Sequence, residues 1–413
     1  MKRYIATLLI LFAVTTRAQQ QEPIRLSLQE CIAAALDRNY GYRASGLSVE
    51  EARTLEGSAV DLPQTSVTLV QTTTDGGGPD NGLKFAQEFD FPTVYIARSK
   101  QLKSETELSR RQHLSSRNDL LQEVYTVYYD LLLLQRLQEI SLAQDSLYRR
   151  FCHVAEARYL QGEAGRLEWL NAKRLLSENS LAMEKGTADY SALSLRLANL
   201  LNIDNPVQPA ESLLLPIEGF IPADSIDYHA TPEGLVAEGR IEVARRNQSV
   251  ARQGFMPSFT VGATSQLLIK GFNPYNVSRP RFDKGDFIGI EVGISVPLFF
   301  GAQRARAKAA GKALEAEQLR LEQQRSESNA QYQALYSQYA AALRALEYYR
   351  STGFPEAEEM LRLSTVSYEL GEIGYEEYAR NLENVYAVSR AYAEAINTYN
   401  QTVIKLKHLQ GTL

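Results

Sequence analysis

The chain has 413 residues, a net charge of −5 at pH 7 and 44% hydrophobic residues. This small negative charge disfavours nucleic acid as a partner, because nucleic-acid-binding domains carry a basic surface. Long stretches of Ala, Leu, Glu, Gln, Arg and Ser are typical of long helices or coiled coils and argue against two ordinary globular domains.

The first 18 residues have the pattern of a secretory signal peptide. Lys2 and Arg3 precede a short apolar run from Tyr4 to Val14, and small residues follow where cleavage usually occurs. The run is too short for a membrane-spanning helix. An N-terminal core helix is the less favoured alternative. We therefore predict a signal peptide over residues 1–18 and an exported protein.

A helix near the N-terminus leads into a predicted hairpin within the first repeat, residues 19–201. Ser27 and Glu30 have the spacing of a capping box, so a helix is expected from Leu26 to about Ser58. Apolar and polar residues then alternate on either side of a glycine-rich turn. This period of two predicts a β-hairpin at about 64–91.

A very long helix follows the hairpin. No proline or glycine occurs between Thr93 and Leu160, so one helix is predicted over about 93–159, roughly 90 Å long at ~1.5 Å per residue. No globular core needs a helix of that length, which indicates part of a rod, coil or tube. A glycine turn at 160–166 reverses the chain, and a proline-rich connector occupies 202–231.

The second repeat, residues 232–413, has the same order of segments. Strands are predicted at about 258–268 and 286–297, a long helix at about 301–368 and a second glycine turn at 369–375. Each half therefore reads as helix, hairpin, long helix, turn and helix. A duplicated unit of this size predicts two structurally equivalent copies.

The duplication is clearest at the two glycine turns. Tyr159, Gly162 and Gly165 in the segment YLQGEAG recur 209 residues later in YELGEIG, and the register then continues without a gap through the following helix. Function must therefore explain why the protein needs both copies. The residues that recur in the second turn are Tyr368, Gly371 and Gly374.

The last predicted strand has the length and pattern of a membrane-spanning strand. Five branched residues fill one face, and Glu291 with small residues fills the other, as expected beside a wet lumen. A half-buried strand of a soluble protein shows the same alternation. Two isolated hairpins give little sheet, and a membrane does not tolerate open edges, so the four strands are expected to close with those of other chains. The five branched residues are Ile288, Ile290, Val292, Ile294 and Val296.

No catalytic, metal or nucleotide site is predicted. The four histidines are scattered, and Cys31 and Cys152 either pair in an oxidising compartment or have no chemical role. The sequence has no phosphate-binding glycine loop of the P-loop type and no paired acid and base. We therefore expect no cofactor and no enzyme activity.

The order of these segments resembles that of the TolC-type outer-membrane efflux proteins. LSLQECIAAALDRNY resembles the family's opening helix, MPSFTVGA the start of its third strand, and GISVPLFFGAQRARAKAA its fourth strand and the helix after it. With the two glycine turns, the likeness covers nearly the whole mature chain. It implies a mainly α protein with four strands per protomer, a homotrimer with a twelve-stranded transmembrane β-barrel, and a long periplasmic α-helical tube.

The resemblance also implies the function of a passive exit duct in the outer membrane of a Gram-negative bacterium. A periplasmic adaptor (a membrane fusion protein) and an inner-membrane transporter would supply the substrate, which the sequence leaves open between drug, metal ion and protein. A periplasmic coiled-coil structural or adaptor protein without a barrel is the alternative. The residues expected at an adaptor-docking tip are Tyr159, Gly162, Gly165, Tyr368, Gly371 and Gly374.

A periplasmic gate is expected just after the second glycine turn. Glu377, with Glu376 beside it, lies where the family narrows its tip with acids, while Arg380 occupies the next such position in place of an acid. Ion pairs between Arg and Glu of different protomers would favour other ions than an all-acidic ring does. A solvated helix face is the alternative interpretation of these three residues.

Overall fold

A computed structural model describes residues 22–73, 79–266 and 287–413. The predicted signal peptide lies outside the described residues, as do parts of both predicted hairpin loops. Within the described ranges the chain is mainly helical. The elements are β1 Ile24–Leu26, α1 Leu28–Arg38, α2 Tyr40–Leu55, β2 Ser66–Thr73, β3 Pro79–Asp90, α3 Pro92–Leu160, α4 Arg166–Leu201, β4 Val207–Pro209, α5 Pro232–Gln253, β5 Ser258–Gln266, β6 Phe287–Ser295, α6 Gly301–Tyr348, α7 Phe354–Glu369 and α8 Tyr375–Gln410.

The predicted capping box is confirmed at the start of α1. The backbone N–H of Glu30 donates to Ser27 Oγ at 3.3 Å, and the Glu30 carboxylate accepts from the Ser27 N–H at 2.8 Å, which lowers the pKa of Glu30. The prediction of one helix from Leu26 to Ser58 is wrong. Asn39 has an extended backbone (φ −60°, ψ 123°) and donates its side-chain amide to a carbonyl of α4, so the helix ends there and α2 begins anew.

A short parallel ladder joins the described N-terminal segment to the connector. Ile24 pairs with Val207 and Leu26 with Pro209, so β1 and β4 form a two-stranded sheet. The prediction of four strands did not include β1 and β4. Three-residue strands are too short to show an alternation of apolar and polar residues, so the sequence pattern contains no signal for them.

The four longer strands form one antiparallel sheet in the order β2-β3-β5-β6. The expectation of two isolated hairpins is therefore wrong, because the inner strands of the two halves pair with each other. Phe89 lies opposite Phe259, and Asp90 lies opposite Ser258. Among the described residues, β2 and β6 each have one strand neighbour, so this sheet has two open edges.

The chain divides into two compact units. One unit contains both glycine turns, and the other contains the four-stranded sheet. The first comprises the described residues up to Asn39, Leu120–Phe220 and Gln338–Ile404, and the second comprises Tyr40–Asp119, Ile221–Ser337 and Lys405–Leu413.

The connector is fixed by side chains that hydrogen-bond to its backbone. Asn400, which is fully buried, accepts from the N–H of Ile217 at 2.7 Å and donates to the carbonyl of Leu215 at 2.9 Å. The hydroxyl of Tyr339 donates to the carbonyl of Phe220 at 3.3 Å. The connector has an extended backbone at these residues and is not paired with a strand there. The side-chain hydrogen bonds therefore satisfy backbone N–H and carbonyl groups that would otherwise have no partner.

Candidate functional site

Each glycine turn ends its helix in the same hydrogen-bonded motif. Gly162 and Gly371 have φ of +77° and +76°, the left-handed conformation that favours glycine. In the first turn the N–H of Glu163 donates to the carbonyl of Arg158 at 2.9 Å, and that of Gly162 donates to Tyr159 at 3.1 Å. The second turn has the corresponding two bonds at 2.8 and 3.1 Å. Both are Schellman motifs, so the duplication extends to backbone geometry.

The second glycine of each turn has a different role. Gly165 has an extended backbone (φ −73°, ψ 151°) and lies at the N-cap of α4. Gly374 is not among the described glycines with positive φ, and its carbonyl accepts from the N–H of Tyr378 at 3.0 Å. A Cβ at either position would have no atom within 4 Å. The backbone therefore requires glycine at the first position of each motif, but not at the second.

An aromatic pair closes each turn. The rings of Tyr159 and Trp169 are stacked, with centroids 5.5 Å apart, and those of Tyr368 and Tyr378 are stacked at 4.6 Å. Tyr159 and Tyr368 were predicted as docking residues, and the structure places both rings against the returning helix. Sequence reasoning missed these stacked pairs. The available signal was an aromatic residue at the same distance after each tyrosine.

The helices of the two turns pack on one another in a small apolar cluster. The rings of Phe151 and Tyr375 lie 4.5 Å apart, and Ala155, Ala172 and Ala379 are buried around them. Burial raises the pKa of the Tyr375 hydroxyl, which is buried and has no hydrogen-bond partner among the described residues. The cluster holds the start of α8 against α3 and α4.

The predicted gate residues Glu376, Glu377 and Arg380 lie together on the first turns of α8, and all three are exposed. Among the described residues none of them forms an ion pair within the protomer. Glu168, at the corresponding place in the first copy, is paired with Arg158 at 2.9 Å.

One substitution between the two copies explains why Glu377 has no such partner. The position of Arg158 is occupied in the second copy by Ser367, whose hydroxyl donates to Glu372 at 2.9 Å. Glu377 therefore lacks the cation that its counterpart contacts. The two turns have the same backbone but different electrostatics.

The outer surfaces of the two turns also differ. Leu160 and Leu167 beside the first turn are 77% and 72% exposed. Glu369 and Glu376 occupy the corresponding positions beside the second turn. At these two positions the first turn exposes leucines and the second exposes glutamates, although Leu370 beside the second turn is also 69% exposed.

One face of the four-stranded sheet is apolar and exposed. Its register aligns Val67, Phe85, Ala263 and Ile290 across the four strands. Ile290 is 83% exposed, and its apolar neighbours on the same face are also exposed. This face is larger than the isolated apolar residues that are scattered over most soluble proteins. The exposed neighbours are Val67, Leu69, Phe85, Val261, Ile288, Val292 and Ile294.

The opposite face of the sheet is polar. Lys84 Nζ lies 2.6 Å from a carboxylate oxygen of Glu291, and both side chains are partly exposed. The pair reaches over Gly262, where a Cβ would lie 2.8 Å from the carbonyl oxygen of Phe85. The hydroxyl of Ser258 donates to Glu88 at 2.7 Å on the same face. The sheet therefore separates an apolar surface from a charged one.

Other kinds of site receive no support in the part of the chain that the structure describes. No group of three or more His, Cys, Asp or Glu residues is arranged to hold a metal ion. No described helix has the length and apolarity needed to cross a membrane. Cys31 and Cys152 are both free thiols, and burial raises the pKa of Cys31 to about 12.

Comparison with known proteins agrees with this architecture. Residues 232–412 match the sequence model of the family described as outer membrane efflux protein. Similar solved structures include a membrane protein from Pseudomonas aeruginosa (16% identity, 93% of each chain covered, TM-score 0.76) and VceC, an outer membrane protein of Vibrio cholerae (18%, 93% of this chain and 96% of that one, TM-score 0.70). The open-state MtrE outer membrane channel of Neisseria gonorrhoeae is 20% identical, with 95% and 94% covered and a TM-score of 0.68.

These likenesses extend over almost the whole chain, although no functionally curated protein matches it. MtrE is named a channel, and none of these three proteins is named an enzyme. The resemblance to outer-membrane efflux proteins is therefore confirmed. The sequence match to the outer membrane efflux protein family therefore covers residues 232–412, and the likeness in fold to these solved structures covers nearly the full length of the chain.

Proposed function

We propose that three copies of this chain form a passive outer-membrane duct, with their helices in the periplasm and their sheets joined in a twelve-stranded barrel. The observation that carries the proposal is the sheet with one exposed apolar face and one charged face. The periplasmic coiled-coil alternative is not favoured, because such a protein has no use for an exposed apolar sheet.

The apolar face is suited to lipid. Eight exposed apolar side chains on one sheet face would promote aggregation in water, whereas a barrel places them against acyl chains. The opposite face, with Lys84 and Glu291, would then line an aqueous interior. This arrangement is the usual alternation of membrane barrels, apolar outside and polar inside.

The open edges of the sheet call for other copies. Unpaired backbone groups cannot remain exposed in lipid, because each costs several kcal/mol there. In a ring, β6 of one protomer would pair with β2 of the next. Three protomers with four strands each give twelve, the number that the family resemblance implies.

A labelling experiment tests the orientation of the sheet. Ile290→Cys and Thr260→Cys lie on opposite faces of neighbouring strands. With a fluorophore at each site in reconstituted vesicles, we expect a lipid-borne quencher to act on position 290 and a water-soluble quencher on position 260. Equal quenching by the aqueous agent at both sites, together with no detergent-stable trimer, would support the coiled-coil alternative.

Single-channel recording tests the aqueous interior. Lys84→Gln leaves an unpaired carboxylate in each protomer and should shift the reversal potential toward cation selectivity, while Glu291→Gln should shift it toward anions. The double variant should return close to wild type because the wild-type pair is neutral. If the ion selectivity is the same in all three variants as in the wild type, the Lys84–Glu291 pair does not line the conduction path.

For the glycine turns we propose adaptor docking at both copies and gating at the second. The identical Schellman motifs support a shared docking geometry, with Gly162 and Gly371 fixing each turn. The unpaired acid Glu377 and the nearby Arg380 support a gate, because charges that are free within the protomer remain available for pairing between protomers. Substrate would be delivered by an inner-membrane transporter through its adaptor.

Conductance measurements test the gate with a control supplied by the duplication. Glu377→Ala and Arg380→Ala should change the conductance or ion selectivity, whereas Glu168→Ala, at the matching position of the first copy, should leave both unchanged. Ser367→Arg should give Glu377 the partner that Glu168 has and reproduce the effect of Glu377→Ala. Unchanged channels in all second-copy variants would contradict the gate.

A further inference from the structure

The two places where the sheet passes into a long helix differ in length. In the first copy only Phe91 lies between the end of β3 and the start of α3. In the second copy five residues, 296–300, lie between the end of β6 and the start of α6. This second junction has the sequence VPLFF. The second copy therefore carries an extra segment, apolar throughout, at the end of the sheet from which the long helices start.

The second junction presents large side chains to its surroundings. Leu298 is 75% exposed and Phe299 is 89% exposed. The neighbouring Phe300 is less exposed, because it packs on Phe255 with the ring centroids 5.9 Å apart. Phe91 of the first junction is only partly exposed, and it is stacked on a ring of β5 with centroids 6.0 Å apart. Described residues of the protomer therefore cover the ring of the first junction but leave Phe299 open.

The second junction continues the apolar face of the sheet. Ile294 lies on that face, and Val296, the first residue of the junction, follows it at the same period of two and is also exposed. At about 3.3 Å per residue, Phe299 lies within about 10 Å of Val296. Leucine and phenylalanine are side chains that amphipathic segments bury at the boundary between lipid headgroups and acyl chains. The junction therefore has the composition of a segment at a membrane surface.

The helices that start at this end of the sheet begin with cations and without acids. The first twelve residues of α6 contain Arg304, Arg306, Lys308 and Lys312, and those of α3 contain three more cations. Acids are favoured in a first turn because the N-terminal end of the helix dipole is positive, and α4, α5 and α8 each have one there. Arg304, Arg306 and Lys308 are exposed, and none of them forms an ion pair with another described residue. This basic surface therefore attracts anions from outside the protomer.

Resting on the proposed duct, which places the helices on the periplasmic side of the sheet, we propose that this surface binds anionic phospholipids of the periplasmic leaflet. Leu298 and Phe299 lie at the boundary of the acyl chains, and the cations of α6 and α3 bind the phosphate groups. At about 1.5 Å per residue, Lys308 is about 10 Å along the helix from its start, and a lysine side chain can reach back toward the headgroups.

The chemistry of the surface favours lipid over a second copy of the chain. An anionic phospholipid offers acyl chains beside a negative headgroup, and therefore matches both the apolar junction and the adjacent cations. The same surface on another protomer carries the same positive charges, so contact between the two would bring like charges together.

Tryptophan fluorescence tests the position of the junction. The chain has a single tryptophan, so one reporter at a time can be introduced in a Trp169→Phe background. In vesicles of brominated phosphatidylcholine, Phe299→Trp should be quenched about as strongly as Ile290→Trp on the apolar sheet face, and at least twofold more than Thr260→Trp on the polar face. Quenching at 290 but not at 299 would overturn the inference and leave the duct intact, because protein would then cover the junction. Quenching at neither position would contradict the duct, and the inference with it.

Headgroup selection tests the role of the cations. With the reporter at Phe299, brominated phosphatidylglycerol should quench at a lower mole fraction than brominated phosphatidylcholine. In Arg304→Gln/Lys308→Gln this preference should fall at least fivefold, about the effect of one cation near an anionic surface. Arg320→Gln/Arg325→Gln is the matched control and should keep the preference, because these arginines lie farther along α6 and each is paired with a glutamate. Equal quenching by the two lipids before the cations are changed, or an equal loss in both double variants, would overturn headgroup binding.

Discussion

The sharpest prediction concerns the two glycines of each turn. Replacing Gly371 by alanine forces a side chain into a backbone with φ of +76°, at a cost of about 1–2 kcal/mol. A Cβ there would have no atom within 4 Å, so no steric cost is added. Replacing Gly162 by alanine should cost the same free energy, because its φ is +77° and a Cβ there would also have no atom within 4 Å. The effect is therefore purely conformational and equal in both copies.

Native-state hydrogen exchange measures this cost locally. The N–H of Glu372 is held by the carbonyl of Ser367 at 2.8 Å, and that of Glu163 by Arg158 at 2.9 Å. A loss of 1–2 kcal/mol of local stability should speed exchange of these amides by about 5- to 30-fold, since about 1.4 kcal/mol is a factor of ten. Each variant should affect its own turn only.

The second glycine of each turn supplies the control. Gly374→Ala and Gly165→Ala also add a methyl group to open space, but at positions without positive φ, so exchange in either turn should stay within about twofold of wild type. If the control variants accelerate exchange as much as Gly371→Ala does, the left-handed conformation is not what these turns require. A large difference between Gly162→Ala and Gly371→Ala would refute their equivalence.

Three further predictions concern stability and reactivity. Gly234→Ala would place a Cβ 1.8 Å from the carbonyl oxygen of Tyr228 and should cost about 3 kcal/mol in a thermal melt, whereas Gly186→Ala, in ordinary contact inside α4, should gain about 0.5–1 kcal/mol. The thiol of Cys31, with its pKa raised to about 12 by burial, should resist maleimide at pH 8, and the stability it contributes should be lost as pH rises from about 9 toward 12. Asn400→Ala leaves two backbone groups of the connector without partners, and faster proteolysis of the connector should follow.

Local features of the fold were predictable where one residue type has one physical role. Ser27 and Glu30 predicted a capping box because only that spacing lets each side chain reach the other's backbone. The strand faces followed from a period of two. The pairing of Phe89 with Phe259 did not, because contacts between residues so far apart in sequence leave no local pattern.

At the glycine turns, residue identity was predictable but environment was not. The repeat identified Gly162 and Gly371, whose positive φ follows from the absence of a Cβ. It gave no indication that Glu168 is paired and Glu377 is not, because that depends on a residue ten positions earlier across a turn. The single π-helical turn at Tyr349–Gly353, which interrupts the long helix predicted over about 301–368, was also missed.

The two copies share the residues that fix the backbone of the turns and differ in the residues that they expose. Both turns retain the left-handed glycine and the stacked aromatic pair, so both arms end in the same rigid shape. The differences fall on exposed or irregular features: leucine against glutamate beside the turn, Arg158 against Ser367, and continuous α-helix against a π-turn. The first two set the second copy apart in charge, and the third sets it apart in the regularity of its long helix. Two copies of one unit can therefore share a backbone motif at their turns and still differ in the charge that they expose there.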